Sequence, residues 1–294
     1  MSFDFPWPVP AGYSQQPIWT DQGFKLGDSV VPVLSYEVGS SGWSDGLTAF
    51  HEESAGANHF IDRASRGRAL DQLGKHLRVD APVILEVGCS SGFMLQAMRE
   101  RMPQALLIGS DYIRGPLEQL ATTIPDVPLL QFDLADCPLP DSCVDAVVLL
   151  NVLEHIDEDA AAAQQLYRIL KPGGVAVIEV PAGPTLYDVY DKLLLHFRRY
   201  SQKGLRRIFE TAGFRPVDES HLGVFMYPGF WIVKQRNKRF LSHANAAQQQ
   251  VVTQNIRETG ASRILSAAMQ LELTLGRRIS YPFGIRCVLT CIKV

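Results

Sequence analysis

The sequence predicts an α/β fold, a doubly wound and mostly parallel sheet with helices on both faces. Between residues 82 and 181, short apolar runs rich in Val, Ile and Leu alternate with segments of helical periodicity. This alternation is typical of a parallel sheet, because parallel strands need a crossover between them, usually a helix. The 294 residues, of which 46% are hydrophobic, are ample for one large domain of this kind.

Seven strands follow from the apolar runs. PVILEVG shows the pattern, because its β-branched apolar residues stop at Gly88 as a short buried strand does. The predicted strands are 82–88, 105–111, 127–133, 144–151, 174–181, 214–226 and 282–294.

The predicted helices lie between these strands and carry start and stop signals. Pro116 suits a first helical turn, acidic residues open the segment that starts at residue 157, and Gly213 ends another helix. Helical spacing covers 59–77, 92–102, 115–123, 157–170, 188–200 and 202–213, and residues 234–276 become helical toward their end.

Charge and cysteine usage narrow the function classes. The formal net charge is −3, whereas a nucleic-acid binder usually carries a basic excess, so we expect no nucleic-acid partner. The five cysteines form no CxxC pair and no metal-finger spacing, which predicts free thiols in a reducing cytoplasm. The first residues do not have the form of a signal peptide, and no apolar run is long enough for a membrane span.

GCSSG, residues 88–92, fits two kinds of active site. As G-x-S-x-G it can be a nucleophile elbow in which Ser90 attacks an acyl carbon. As a glycine loop between a strand and a helix it can instead hold a nucleoside cofactor. The loop follows the first clear strand and no glycine-rich oxyanion segment precedes it, so the cofactor loop is favoured.

The residues at the predicted strand ends indicate which cofactor the glycine loop binds. Glu86, Asp111, Asp133 and Asn151 each lie at the end of a strand, and parallel strands bring such ends to one edge of the sheet. Asp111 lies 19 residues after Gly92, near the spacing at which an acid binds ribose hydroxyls. The loop lacks G-x-G-x-x-G, and Glu86 would repel a pyrophosphate, which disfavours NAD. S-adenosylmethionine has no phosphate, and its ammonium group suits nearby carboxylates.

At this point the chain resembles the class I S-adenosylmethionine-dependent methyltransferases, and among them the type 11 small-molecule group. The segments that carry the resemblance are ILEVGCSSG, GSDYI, QFDLADCPLPDSCVDAVVLLNVLEHI, and LKPGG followed by VAVIEV. It covers about residues 59–221 and the last strand. It implies a Rossmann-like sheet of seven strands with an antiparallel last strand. Ser90 stands where the usual G-x-G-x-G loop has its middle glycine.

The resemblance also assigns the cofactor contacts. Glu86 would orient the glycine loop or the ammonium group, Asp111 would hold the ribose with Tyr112 packing on adenine, and Asp133 would accept from the adenine amino group. The residues implied to bind the cofactor all lie at or just after strand ends: Glu86, Gly88, Cys89, Ser90, Gly92, Asp111, Tyr112, Asp133, Leu134 and Asn151.

Two histidines are candidates for catalysis, because His is the side chain best matched to proton transfer near neutral pH. His155 falls just past the fourth strand, and His196 lies on the helical segment that would cover the acceptor. Some related O-methyltransferases bind a divalent cation with an acid-x-x-E-H cluster. Here the cluster reads Asn151, Glu154 and His155, and because an amide replaces the first acid, we expect no metal.

Residues 1–58 are rich in Pro, Gly, Trp and Ser without a clean period, so we expect an irregular arm. Tyr36, Trp43 and the HEE at 51–53 make this arm the candidate lid. The methyltransferase domain would then span 59–294, with a cofactor half at about 80–181 and acceptor-covering segments at about 182–280.

The predicted function is methyl transfer from S-adenosylmethionine to a small-molecule, glycan-linked or lipid-linked acceptor, on oxygen, with nitrogen or carbon as the alternative acceptor atoms. Two alternatives stay open, a cofactor-binding module without turnover and a serine hydrolase that uses Ser90. The apolar run at 222–233, followed by the basic KQRNKR, is interpreted either as a strand end with a buried turn or as a patch for peripheral membrane contact.

Overall fold

The computed structural model describes residues 5–20, 22–36, 59–241 and 263–294. The strands within these residues are β1 (Ile18–Thr20), β2 (Gly23–Leu26), β3 (Ser29–Val31), β4 (Val33–Ser35), β5 (Val83–Val87), β6 (Leu106–Asp111), β7 (Leu129–Gln131), β8 (Val144–Leu150), β9 (Leu170–Pro181), β10 (Phe214–Leu222) and β11 (Arg286–Lys293). The helices are α1 (Phe60–His76), α2 (Phe93–Arg101), α3 (Arg114–Thr123), α4 (Asp159–Ile169), α5 (Val189–Leu193), α6 (Gln202–Thr211), α7 (Tyr227–Asn237) and α8 (Arg263–Gly276).

The main sheet has the strand order β10-β11-β9-β8-β5-β6-β7-β4. Strands β4 to β9 pair in parallel, whereas β11 lies antiparallel between β9 and β10. This arrangement confirms the predicted parallel sheet, the seven predicted strands and the antiparallel last strand, and it adds β4 as an eighth strand. The chain reverses its direction of travel across the sheet between β5 and β8, which is the switch point where open parallel sheets bind ligands.

Helices cover both faces of the sheet, as alternate side chains of the central strands require. Ile84 of β5 packs with residues of α1, α2 and α3, while Leu85 and Val87 face the layer that includes α4 and α6. Both layers are mostly apolar at their centres, which explains why β5 and β8 are mostly hydrophobic, with the buried Glu86 and Asp145 as the exceptions.

The N-terminal segment is more regular than its sequence predicts. Strands β1, β2 and β3 form a small antiparallel sheet, and β4 extends the main sheet by pairing in parallel with β7. Phe24 and Leu34 are fully buried in this part of the chain. The prediction of an irregular arm is therefore wrong for residues 18–35. Strands of three or four residues are too short to show a period, and their burial comes from contacts distant in sequence.

Tyr36, one of the candidate lid residues, is anchored to the sheet. Its amide donates to the Gln131 carbonyl at 2.9 Å, and its hydroxyl donates to the Pro8 carbonyl at 2.9 Å. The other lid candidates, Trp43 and residues 51–53, lie outside the described residues.

Two predictions for the C-terminal half are corrected. The helix predicted at 188–200 is helical only at Val189–Leu193, and the chain then turns. The run 222–233 is not a strand end with a buried turn, because Tyr227–Asn237 is a helix with Pro228 in its first turn. A first-turn proline lacks only an N–H that the helix does not use, so the Pro228 that argued for a turn instead starts α7. In the part of the chain that the structure describes, no helix is both long and apolar enough to cross a membrane.

Leu34→Ala tests whether β4 is an integral part of the fold. Because Leu34 is fully buried, we expect the free energy of unfolding to fall by about 2–5 kcal/mol, measured by denaturant titration. Val30→Ala is the matched control: Val30 is 52% exposed on the neighbouring β3, so the change should stay within about 0.5 kcal/mol. Equal and small effects in both variants would show that the N-terminal strands do not stabilise the domain.

Candidate active site

The glycine loop between β5 and α2 is a tight turn built from left-handed backbone. Gly88, Ser90 and Gly92 have φ values of 74°, 43° and 73°, and the Gly92 amide donates to the Cys89 carbonyl at 2.7 Å. A Cβ at Gly88 would collide with the Cγ2 of Val152. Glycine is therefore required there both for its backbone angle and for the close approach of the loop after β8.

Asp111 ties this loop to the next strand. One carboxylate oxygen accepts from the Ser90 amide at 3.0 Å, and the other accepts from the Ile113 amide at 3.0 Å. The same side chain thus joins the loop after β5, the end of β6 and the segment that leads into α3. A carboxylate oxygen has two lone pairs, so each oxygen can accept a further hydrogen bond from a ligand.

Glu86 is buried at the base of the loop, with only 5% of its surface exposed. Burial, and then the charge of Asp111, raise the pKa of Glu86 well above its usual value. Its Oε2 has no hydrogen-bond partner among the described residues. A buried carboxyl with an open oxygen is ready to receive a cationic group from a ligand.

Arg66 of α1 is a site residue that the sequence did not reveal. Its guanidinium lies 5.6 Å from the centroid of the Phe93 ring at the start of α2, and its charge acts on Glu86. The position carries no signal in the sequence, because α1 has charged residues on several of its faces and only the packing of α1 on the sheet selects one of them.

The residues after β6 and β7 lie side by side, as predicted. Asp111 pairs with Gln131 in the sheet, and the Gln131 side-chain amide donates to the Tyr112 carbonyl at 3.1 Å. Asp133 caps the short 3-10 helix Leu134–Asp136 by accepting from the Ala135 amide at 2.9 Å, and Leu134 is buried. The capping role of Asp133 is the structural alternative to adenine binding, and its remaining lone pairs leave both roles compatible.

Asn151 begins the loop that closes the site on the other side of β5. Its φ of 57° turns the chain at the end of β8, and its amide donates to the Glu179 carbonyl at 2.9 Å. Val152 then contacts the glycine loop at Gly88. The short 3-10 helix Leu153–His155 follows directly, which brings His155 to the edge of the sheet where the cofactor residues lie.

The two predicted histidines meet at this edge. The rings of His155 and His196 lie 4.7 Å apart between centroids and are nearly perpendicular, at 78°. His196 is not on a helix, since α5 ends at Leu193, but in the turn that follows. Its amide donates to the Asp191 carbonyl, and its Nδ1 lies 2.9 Å from a carboxylate oxygen of Asp191.

Asp191 controls the protonation of His196. Burial raises the pKa of Asp191, but the hydrogen bond to His196 and the cations Lys234 and Arg199 outweigh it, so the net pKa lies below the usual range. Asp191 therefore accepts, and Nδ1 of His196 carries the proton. Burial also lowers the pKa of His196, which Asp191 only partly opposes, so the ring is neutral with the lone pair on Nε2.

Glu154 lies beside the histidines and is fully buried. Burial raises the pKa of Glu154 to about 8, and neither of its carboxylate oxygens has a hydrogen-bond partner among the described residues. One ligand atom from each of Glu154, His155 and His196 lies within 4.8 Å of the others. The sequence shows that Glu154 is adjacent to His155, but it does not show that His196 lies close to both residues.

The loop cysteine does not have the properties of a nucleophile. Cys89 is 3% exposed, and burial together with the charges of Asp111 and Glu86 raises the pKa of its thiol well above the usual value. The thiol is therefore protonated at neutral pH, as expected for a small packing residue.

Glu86→Gln tests the burial of this carboxyl through the pH dependence of stability. The folded pKa of Glu86 exceeds its unfolded value of 4.5, so the folded state keeps the proton and stability is lost as pH rises through that window. Gln imitates the protonated acid. We expect the variant to match the parent near pH 4.5 and to become more stable above it, by up to about 1.4 kcal/mol per pH unit.

Urea titrations at several pH values measure this difference. Glu100→Gln, at an exposed position of α2, is the matched control and should show no widening gap with pH. If the gap for Glu86→Gln stayed constant or reversed, the carboxyl would not be held in its protonated form.

Comparisons with known proteins agree with this geometry. A family profile described as a methyltransferase domain, of type 11, matches residues 85–178. A protein of Mycolicibacterium smegmatis named as an S-adenosylmethionine-dependent methyltransferase is 33% identical over 144 residues, which cover 48% of this chain and 54% of that protein. The methyltransferase YdaC of Bacillus subtilis is 31% identical over 137 residues, which cover 46% of this chain and 72% of YdaC.

Solved structures show the same fold. A phosphoethanolamine N-methyltransferase of Haemonchus contortus, in complex with S-adenosyl-L-methionine, superposes with a TM-score of 0.55 at 13% identity and covers 85% of this chain and 57% of that one. The matched region spans only about half of several curated relatives, 54% in the M. smegmatis protein. From the sheet order, the strand-end acids and these matches together, the chain belongs to the class I S-adenosylmethionine-dependent methyltransferases.

Proposed function

We propose that the protein transfers a methyl group from S-adenosylmethionine to a hydroxyl or carboxyl oxygen of a small or lipid-linked acceptor. The observation that carries the proposal is the Asp111 carboxylate, which lies at the end of β6, next to the switch-point strand β5, and holds the glycine loop at Ser90. Ribose hydroxyls are donors, and this carboxylate is the acceptor at the strand end where nucleosides bind in open sheets.

The cofactor contacts proposed for the other residues follow from their positions. Glu86 suits the cofactor's ammonium group, since its open oxygen is buried and a cation would favour its ionised form. Arg66 lies near Glu86 and suits the cofactor's carboxylate. Tyr112, Asp133 and Leu134 are proposed to surround the adenine, and Asn151 adjoins the methionine end.

The reaction needs alignment more than activation. When bound, S-adenosylmethionine supplies a methyl group on a sulfonium; the S–C bond breaks, sulfur keeps the electron pair, and a bond to the acceptor oxygen forms. The residues of this chain must hold that oxygen in line and exclude water. A hydroxyl acceptor also loses its proton, which the adjacent rings of His155 and His196 are proposed to accept.

The choice of oxygen as the acceptor atom rests on this histidine pair. An imidazole with a lowered pKa stays neutral at physiological pH and can accept a proton from a hydroxyl group. Asp191 fixes the tautomer of His196 and leaves its Nε2 as the acceptor.

A lipid-linked acceptor is supported by the surface of α7. Trp231, Ile232 and Val233 are 47%, 52% and 38% exposed on consecutive positions of this helix, and Phe283 nearby is 47% exposed. Arg236 and Arg239 are exposed just beyond them, whereas Lys234 turns inward to Asp188 and Asp191. Exposed apolar side chains next to cations are typical of proteins that rest on anionic lipid.

Cofactor binding is the first test. Titration calorimetry should detect S-adenosylhomocysteine but not NAD. Asp111→Ala should weaken the affinity by about 10-fold to 100-fold, because a hydrogen bond to a charged group contributes about 1.5–3 kcal/mol. Asp126→Ala, which removes an exposed acid paired with Arg99, is the matched control and should leave binding unchanged.

Turnover separates the alternatives on the same samples. Labelled methyl groups should enter a metabolite or lipid fraction with the parent and not with Asp111→Ala. Binding without incorporation would favour the cofactor-binding module. Labelling of Ser90 by a fluorophosphonate probe, together with binding of neither nucleoside, would overturn the proposal in favour of the hydrolase.

Vesicle binding tests the lipid surface. Trp231→Ala should reduce co-sedimentation with anionic vesicles by about tenfold, since the ring loses its buried apolar area. Val79→Ala changes an apolar residue that is 48% exposed just before β5, outside α7, and should have no effect. Equal binding of the parent to anionic and neutral vesicles, or no binding at all, would contradict a lipid-facing α7.

A further inference from the structure

We propose that Glu154, His155 and His196 bind a divalent transition-metal ion of the Zn²⁺ or Mn²⁺ type beside the acceptor position. One ligand atom from each residue lies within 4.8 Å of the others. Two imidazoles and one carboxylate form a donor set typical of such ions, and they leave further positions open. This inference replaces the expectation of no metal, which rested on Asn151 standing in place of the first acid of the cluster.

The structure adds His196 as a third metal donor, which the sequence does not place near Glu154 and His155. His196 comes from the turn after α5, 41 residues after His155 in the chain, and its ring meets that of His155 at 4.7 Å between centroids. The chain holds this turn in place through the Phe197 amide, which donates to the Glu154 carbonyl at 2.8 Å. The main chain therefore fixes the spacing of the two segments that carry the three donors.

The hydrogen bond between His196 and Asp191 is of the kind that metal-ligating histidines usually make. A ligating histidine almost always donates its other ring N–H to a carboxylate or carbonyl, which fixes the tautomer and directs the second nitrogen to the ion. Asp191 accepts from Nδ1 of His196 at 2.9 Å, and Arg199 and Lys234 hold that carboxylate at 2.8 and 2.9 Å. Nε2 of His196 is thereby left available as a metal donor.

Charge balance gives an independent reason for a cation. In the neighbouring network Asp188 and Asp191 are matched by Lys234 and Arg199, so those four groups sum to zero. Glu154 has no ion pair within the described ranges, is fully buried, and leaves both oxygens without hydrogen bonds. A buried carboxylate without a cation is unfavourable, whereas the same group bound to a divalent ion is typical of metal sites.

The catalytic role of the ion rests on the proposed function. A bound cation would coordinate the acceptor oxygen and lower the pKa of its proton, so that the oxygen attacks the methyl carbon as an anion. The proton leaves to solvent, and no group is oxidised or reduced by the ion. In that arrangement the histidines act on the acceptor through the ion rather than as free bases.

Metal binding itself is measured without turnover. Equilibrium dialysis of the full chain against Zn²⁺ should show a site that Glu154→Gln and His155→Ala each weaken by at least about tenfold. Co²⁺ in the same site should give a visible ligand-field spectrum that both variants lose. His221→Ala is the matched control, because this half-buried histidine bonds the Tyr281 carbonyl away from the cluster and should leave dialysis and spectrum unchanged.

Two variants keep the result clear if one of them fails to fold, since His155 is only half-buried and its truncation is the milder change. Zn²⁺ affinity that is unchanged in both folded variants, or no ion retained by the parent, would overturn the proposal. S-adenosylhomocysteine binding is measured on the same samples. Its loss with metal binding intact would remove the proposed function and leave the metal site standing.

Discussion

The site depends on the hydrogen bonds that the Asp111 carboxylate accepts from the Ser90 and Ile113 amides, each at 3.0 Å. These bonds connect two neighbouring strand ends through one rigid side chain. They add to the hydrogen bonds that the Gly88 and Cys89 amides donate to the Ser110 carbonyl at 2.8 and 2.9 Å, and together these contacts support a loop with three left-handed residues. The position of the loop is thus set by two adjacent residues at the end of β6, of which Asp111 also fixes the entry of α3 and offers the proposed ribose contact.

A second set of buried charges positions the acceptor side. Asp188 and Asp191 accept from the same lysine, Lys234 of α7, at 2.6 and 2.9 Å. Because Asp188 also starts α5, this contact joins α5 to α7 and holds the turn that carries His196. Buried ion pairs contribute little net stability, but they strongly disfavour any other arrangement of the segments that they join. The network therefore serves the geometry of the histidines more than the stability of the domain.

Much of the cofactor half was predictable because its signals are local. Each signal is contained in a few consecutive residues: the apolar runs of β5 to β9, the glycine loop and the strand-end acids. The parallel sheet then brings these segments together. The family resemblance rests on the same segments. The last strand was predicted from the apolar run at 282–294, and its antiparallel direction was implied by the family resemblance.

The other site residues could not be predicted from the sequence, because their positions depend on contacts between segments that are distant in the chain. Arg66 enters the site through the packing of α1, and His196 reaches Glu154 through a turn that the sequence presents as helix. Lys234 looked like part of a basic surface cluster, yet it is buried among acids that precede it by over forty residues. Periodicity identifies faces of elements, but it does not tell which faces meet.

The pairing of β4 with β7 has a consequence for how the molecule behaves toward its own copies. Val33 and Ser35 provide backbone partners for Leu129 and Gln131, and the strand that then forms the border of the sheet is only three residues long. A short border strand offers few free amide and carbonyl groups on which a neighbouring molecule could build. A chain trimmed to begin at α1 would expose β7 in its place, and self-association through that bare sheet edge would become the main hazard in handling such a fragment.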